Sequence, residues 1–567
     1  MTVGPSGEVG KNAKGDVINP MLRKFIGDLK KEFSGYNAAK LRKDVFAGIT
    51  VTAVALPLAL AFGVSSGATA SAGLITAIIA GIVIGALAGG SFQISGPTGA
   101  MAAILTALIQ RFGIEGIWLA GLMSGVLLLL AGLLKFGKLI TLIPAPVVTG
   151  FTSGIALIIA IGQIDNILGV VTPAAESSAV KLVQYFQTPL SPNLYAILIC
   201  ALVVAIMLLW PKKWNAAFPS SLVALIVALG ASVALKLPVA IIGDIPKTLL
   251  PDERLSLAAL NLTAMQPLLS AAISIAMLGM IETLLCGEVA SHMKNEKYDA
   301  NRDLVSQGIG NILIPFFGGI PATAAIARTS VAVKSGGQTR LVSIFHAVGL
   351  LLSMFLLAPV MSRIPVSALA GILLVTAWRM NEWHAIKYIF SHGFKGAMAK
   401  FLVTMLATVL LDLTQAILIG VVFSLVLFVA RLSQMRIDVR DVDADRLGIT
   451  LPEGLNIKVA FFTGPLFFAT IGQLRRQLIE TDYSGVLIAS MRGVSHIDMS
   501  GVFAIDELHK VLKAAGCTLM LSSLQPQVEA MLRRGGILDT LGPDCVFWSA
   551  DKAIAAACDS AVPTRET

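Results

Sequence analysis

The chain has 567 residues, 56% of them hydrophobic and 14% charged, with a mean hydropathy of +0.81. Soluble globular proteins carry nearer a quarter charged residues, so most of this chain is built to be solvated by lipid. The formal net charge of +9 does not mark a nucleic-acid binder, because the basic residues cluster in loops between apolar runs rather than along a phosphate-binding stripe.

Residues 1–44 form a polar, Gly- and Lys-containing N-terminal segment, and the first long apolar run begins only near Val45, which does not fit a cleavable secretory signal. From Val45 to Arg436 apolar runs follow one another, each about the length needed to cross ~30 Å of hydrocarbon. The clearest are Val45–Val64, Ala68–Ala88, Trp118–Leu134, Leu194–Trp210, Leu222–Leu235, Ser270–Cys286, Val342–Ala358 and Leu413–Val429. Lys and Arg crowd before the first run (Arg23, Lys24, Lys30, Lys31, Lys40, Arg42, Lys43) and recur at Lys135/Lys138, Lys212/Lys213, Lys294/Lys297/Arg302, Lys334/Arg340 and after Arg379. The connection Ile164–Asn193 holds only Lys181. The positive-inside rule then predicts an even number of spans with both termini in the cytoplasm. Glycines recur every fourth residue at Gly81/Gly85/Gly89, Gly121/Gly125 and Gly150/Gly154, a spacing that serves either close helix packing or sliding helices.

Two segments do not read as plain spans. One is Gly89-Gly-Ser-Phe-Gln-Ile-Ser-Gly-Pro-Thr-Gly-Ala-Met101, followed by an apolar helix to about Arg111; the other is Phe316-Phe-Gly-Gly-Ile-Pro-Ala-Thr-Ala-Ala-Ile-Ala-Arg-Thr329. They occupy corresponding places in two halves of the chain, and such pairs point to a transporter's central site. A half-helix that starts at mid-membrane aims free N–H groups and the positive end of its dipole into the cavity, so two facing ends bind an anion without a charged side chain. Glu282 lies inside an apolar helix, where a carboxylate is costly unless paired or protonated, and is the candidate for ion coupling. Arg328 is expected at the second turn of the second half-helix, either adding positive potential to the anion site or bracing Glu282. Gln93 precedes the first half-helix and is placed to satisfy freed backbone groups. Gly132–Lys138 fits GxxxxGK, but Leu139 replaces the Ser/Thr and no strand precedes it, so it is a helix end rather than a phosphate loop.

The character changes at Met435–Asp441, giving a transmembrane part at 45–436 and a cytoplasmic part at 440–560. Ile457–Thr463, Gly485–Met491 and Cys517–Ser523 read as strands, with helices over Ser500–Ala515, from Gln525 and from Asp551. This alternation predicts a small parallel or mixed sheet. Asp498-Met-Ser-Gly501 places Ser500 at a helix N-cap. The five cysteines (Cys200, Cys286, Cys517, Cys545, Cys558) show no CxxC and no metal-ligand spacing, so reduced thiols are expected in the cytoplasmic part.

The segments Ala55–Val64, Ile94–Met101, Ile281–Leu285, Gly308–Asn311, Phe316–Pro321 and Lys334–Leu341, in this order and spacing, resemble the sulfate permease (SulP) family across essentially the whole chain. The C-terminal part resembles the STAS domain appended to such transporters. The resemblance implies an α-helical polytopic membrane protein of about 14 transmembrane segments, arranged as two inverted seven-segment repeats with core and gate domains, plus a small cytoplasmic α/β STAS domain. It also implies a homodimer, elevator-like alternating access and a bacterial inner-membrane location. Carried over by motif, the anion site falls on Ala61, Phe62, Thr98, Gly99 and Ala325, Ile326, Ala327, Arg328, with Glu282 as the acidic residue beside it. The serine matching Ser500 is a phosphorylation site in related domains. The first-span and Pro-Thr-Gly motifs are closest to the cyanobacterial bicarbonate transporters, a sodium-dependent branch with Asp at the acidic position and Thr one turn later. Glu282 and Cys286 stand there instead, a poorer set for a hard cation, which favours H+ over Na+ as coupling ion.

The expected function is secondary active transport of a small inorganic anion, sulfate or bicarbonate, coupled to protons. The alternatives are a sodium-coupled bicarbonate symporter, a dicarboxylate transporter and a channel-like anion conductor. No nucleophile–base constellation points to an enzyme, and neither a cofactor, a metal nor nucleic acid is called for.

Overall fold

A computed structural model describes residues 20–138, 143–173, 175, 177–211, 214, 218–411, 413–433, 435–443, 451–452, 454–479 and 484–561. Expectations for residues 1–19 and for Lys212 and Lys213 lie outside the described residues. Contacts divide the chain into two compact units at Val421/Val422.

The first unit opens with α1 (Pro20–Glu32) and α2 (Ala38–Ser65), the latter started by Asn37, whose side chain accepts the Lys40 N–H. Next come α3 (Ala70–Leu87), β1 (Ser95–Gly96) and α4 (Gly99–Leu133). Helix α4 is broken at Gly113, where φ is 71° and ψ 178°. The break falls between the apolar helix expected to end near Arg111 and the run expected from Trp118. After α5 (Ala145–Gly162), α6 (Leu194–Leu209) and α7 (Ser220–Ala234), the opening order returns: α8 (Leu269–Lys294), α9 (Ala300–Leu313), β2 (Thr323–Ala324) and α10 (Ile326–Lys334). The unit continues with α11 (Leu341–Met361), α12 (Val366–Met380) and α13 (Lys395–Leu410); α14 (Leu413–Leu432) carries the chain across the unit boundary. Helix–helix–strand–helix thus occurs twice, at 38–133 and 269–334.

Seven helices among the described residues are long and apolar enough to span a membrane, and three shorter apolar helices accompany them. Large apolar side chains such as Leu198, Leu209, Leu352 and Leu356 face outward, which suits a hydrocarbon solvent rather than water. Packing sorts the helices into two groups. In one, α11 lies on α2, α9 on α4 and α8 on α4; in the other, α13 lies on α5, and α12 and α7 on α6.

Lipid gives no hydrophobic drive for helices to associate, so close backbone approach does that work. Each glycine of the four-residue repeats sits against a neighbouring element. A Cβ on Gly81 would stand 2.8 Å from the Ala347 Cβ, one on Gly125 2.7 Å from the Ile312 amide, and one on Gly154 2.5 Å from the Thr408 Cβ. Tight packing accounts for the spacing.

The second unit holds a five-stranded mixed sheet in the order β3 (Arg436–Asp441), β4 (Ile457–Thr463), β5 (Val486–Gly493), β6 (Thr518–Ser522), β7 (Val546–Phe547). Only β3–β4 is antiparallel. Helices α15 (Met499–Ala514), α16 (Pro526–Arg534) and α17 (Ala550–Ala561) complete it. Ser500 is not the N-cap of α15. Asp498 caps it, with Oδ1 accepting the Gly501 N–H at 2.9 Å and Oδ2 the Phe468 N–H at 3.1 Å. The ionised carboxylate has two oxygens to tie both segments where a hydroxyl has one. Ser500 is half-buried at the second helical position.

Candidate anion site

Two helices begin in the interior of the first unit, and their preceding strands meet. Ser95 pairs with Ala324 and Gly96 with Thr323 in a two-residue antiparallel ladder, extended by Ala325 N–H donating to the Ile94 carbonyl at 3.0 Å. Irregular backbone at this depth survives only if its polar groups are satisfied. Thr76 Oγ1 accepts the Ile320 N–H at 2.7 Å. Asn311 binds both polar groups of Ala322, Oδ1 accepting at 2.7 Å and Nδ2 donating at 2.9 Å. On the other strand, Ile94 N–H donates to Thr329 Oγ1 at 3.0 Å and Gln307 Nε2 to Ser95 Oγ at 2.7 Å. The Gly99 and Ala100 amides of α4 and the first amides of α10 lack intrahelical acceptors, which suits them to a ligand.

Thr98 is the N-cap of α4. Its backbone is extended, and its hydroxyl accepts the Met101 N–H at 3.3 Å while donating to Glu282 Oε2 at 2.7 Å. Glu282 is therefore fastened to the cap of the first half-helix. Phe62, from the C-terminal part of α2, packs beside Gly99: a Cβ added there would lie 3.2 Å from the Phe62 ring and 2.5 Å from Ile159. Only a glycine lets these two side chains pack this closely against the start of α4.

Arg328 stands in the first turn of α10, not the second, because the helix starts at Ile326. It is 1% exposed. Its Nη2 donates to the Pro97 carbonyl, and no ion pair with Glu282 forms among the described residues. Arg328 so braces the first half-helix from the second. Its Nη1 is buried without a partner, beside Gly96. A cation with a spare donor between two helix N-termini attracts an anion to this point.

The structure thus joins Phe62, Thr98, Gly99 and Glu282 on one side with Arg328 on the other. Ala325 is half-buried there, Ile326 and Ala327 are exposed, and Ala61 lies in the apolar core. Gln93 donates from Nε2 to the Thr283 carbonyl at 3.2 Å, a group within the unbroken helix α8 rather than one freed by a break. Thr76 and Gln307 were not singled out from the sequence, their partners being distant in the chain; Asn311 and Thr329 stand there only as ends of quoted segments, with no role assigned. Among the described residues no group of three or more His, Cys, Asp or Glu could hold a metal.

Fold and site together define a multi-pass membrane anion transporter with an appended α/β domain. The chain belongs to the sulfate permease family, whose model matches residues 41–406, and a STAS domain matches residues 449–551. It is 36% identical over 528 residues to YvdB of Bacillus subtilis, a protein provisionally named a sulfate transporter, covering 91% of this chain and 97% of that one. It is 30% identical over 543 residues to the bicarbonate transporter BicA of a Picosynechococcus strain, covering 91% and 94%. The solved transmembrane domain of a cyanobacterial BicA superposes with a TM-score of 0.61 at 30% identity, over 69% of this chain and 98% of that one. The murine anion transporter Slc26a9 in its inward-facing state shares the fold, with a TM-score of 0.82 at 18% identity over 97% and 96%.

Proposed function

We propose that the chain is a secondary active transporter of sulfate or bicarbonate, driven by protons through Glu282 and working by elevator-like alternating access. Relatives named for each anion keep both in the reading. The observation that carries the coupling is the 2.7 Å bond from Thr98 to Glu282. A carboxylate at the cap of an anion-binding helix repels the anion; its protonation removes that charge, so proton and anion bind together. Cys286, one turn on, gives its thiol to Thr329 at 3.3 Å, and sulfur suits sodium poorly. The protein works as a homodimer in a bacterial inner membrane with both termini cytoplasmic. Ser500 is a regulatory phosphorylation site near the start of α15, where added negative charge meets a favourable helix dipole but also the Asp498 carboxylate.

The test is uptake of labelled sulfate, bicarbonate or a dicarboxylate into liposomes holding the purified protein, under imposed proton or sodium gradients. Saturable, proton-driven accumulation of one anion is expected. Glu282→Gln, a mimic of the protonated form, is expected to bind and exchange the anion but to lose accumulation and pH dependence. Accumulation driven by sodium alone, or an unchanged proton response in the variant, defeats the coupling; a conductance linear in concentration makes it a channel.

A further inference from the structure

Among the described residues two aspartates are fully buried, Asp44 and Asp303, at 0% and 1% exposure. Their surroundings differ. Asp44 accepts four hydrogen bonds: Tyr36 Oη at 2.9 Å and Thr339 Oγ1 at 2.6 Å on Oδ2, the Gln338 amide at 2.6 Å and the Thr339 amide at 3.2 Å on Oδ1. A carboxylate only accepts, and this donor set satisfies an ionised one. Asp303 receives one, from the Gly89 N–H to Oδ1 at 2.5 Å. Its Oδ2 is buried with no partner, a position an anionic oxygen holds only at high cost.

The Gln93 side chain neighbours the Asp303 carboxyl. Because its Nε2 donates to the Thr283 carbonyl, its Oε1 is left, and that atom too is buried without a partner. Turning the amide over would give Asp303 a donor but set Oε1 against the Thr283 oxygen. A single proton on Asp303 Oδ2, donated to Gln93 Oε1, satisfies both orphaned acceptors. The adjoining Arg302 does not supply the missing donor: its guanidinium is spent on the Ala88 and Gly89 carbonyls at 3.1 and 2.8 Å and on Asp28 at 2.7 Å. The other titratable groups facing Asp303 are Asp299, held by Lys24, and Tyr298 and Cys286, with Glu282 beyond Cys286. None of these hydrogen-bonds to Oδ2.

Gly89, Asp299 and Arg302 also line a cavity of about 540 Å³ on the side of the unit that carries α1. We propose that Asp303 is a proton-binding site separate from Glu282, occupied in this conformation and exchanging its proton with water in that cavity. On release the proton goes to that water and leaves a carboxylate held by the Gly89 amide. The site stands whether or not Glu282 couples transport.

The test is infrared spectroscopy of the full chain in lipid at neutral pH, grown with unlabelled or with carboxyl-13C aspartate. A protonated-carboxyl C=O band that shifts on aspartate labelling is expected. It should vanish in Asp303→Asn and persist in Glu282→Gln. The labelled wild-type chain answers even where Asp303→Asn fails to assemble, since Asp44 has the donors of an ionised group. Absence of an aspartate-sensitive band, or its survival in Asp303→Asn, overturns the assignment.

Discussion

The Thr98 hydroxyl does two jobs with one oxygen: it caps α4 by accepting from Met101 and donates to Glu282. Thr98→Val keeps the shape and removes both bonds, whereas Thr98→Ser keeps both. Loss of the cap alone costs about 1 kcal/mol, or roughly fivefold in an equilibrium. The valine variant is therefore expected to raise the KM for the anion at least fivefold, with serine restoring it; equal KM values in the two variants would show that the hydroxyl takes no part in binding. Thr98 was given by the family resemblance, whereas Glu282 and Arg328 were legible in the sequence as ionisable residues in apolar surroundings. Arg328's partner was not, since the Pro97 carbonyl lies 231 positions away and one side chain can brace many backbones. Ser500 was placed two positions late as the cap because Asp498 is the stronger one.

The two broken segments were legible as Gly- and Pro-rich interruptions, but their pairing into one ladder was not: β1 and β2 have only two residues each. In the second unit the inner strands were visible as short apolar runs. Strand β3, Arg436-Ile-Asp-Val-Arg-Asp441, was passed over as a boundary because its charged residues alternate and face outward, the usual composition of a sheet edge. Helix crossings were legible from one side only: Gly125 belongs to a repeat on α4, but nothing local marked Gly308 as its partner on α9, where a Cβ falls 2.5 Å from the Leu129 amide. Backbone cannot move aside as a flexible side chain can, so Gly308→Val forces α9 away from α4 and with it Asn311 from Ala322. Such overpacking costs about 1–3 kcal/mol or more. The variant is expected to melt several degrees lower in detergent than the wild type, while Gly336→Ala, where no atom lies within 4 Å but φ is +82°, loses only the smaller conformational term. Equal melting of the Gly308 variant and the wild type would show that α4 and α9 separate without cost.

At the scale of the whole first unit, α1 is tied down by ionic contacts of two kinds. Arg340 binds Glu32 through Nε at 2.9 Å and Nη2 at 2.7 Å, and its Nη1 donates to the Ala86 carbonyl at 2.8 Å. Both side chains are nearly buried, at 5% and 9% exposure. Phe25 covers the guanidinium groups of Arg302 and Arg340 at 5.1 and 5.4 Å. Lys24 instead meets Asp299 with 62% of its own side chain in solvent. Removing one partner of a buried pair strands the other charge and costs about 3–5 kcal/mol, whereas an exposed pair is worth about 0–1 kcal/mol. Glu32→Ala is thus expected to lower the melting temperature strongly and with little dependence on salt, because buried charges are poorly screened. Lys24→Ala should have a small effect that salt erases. Arg340→Met combined with Glu32→Leu removes both charges and should recover much of the loss. Since α1 is held by the same Ala86–Gly89 turn that leads into the first half-helix, releasing it by Glu32→Ala should also slow anion uptake. If the single and double variants melt alike, the pair is not buried in the working protein and α1 is not fastened to the unit this way.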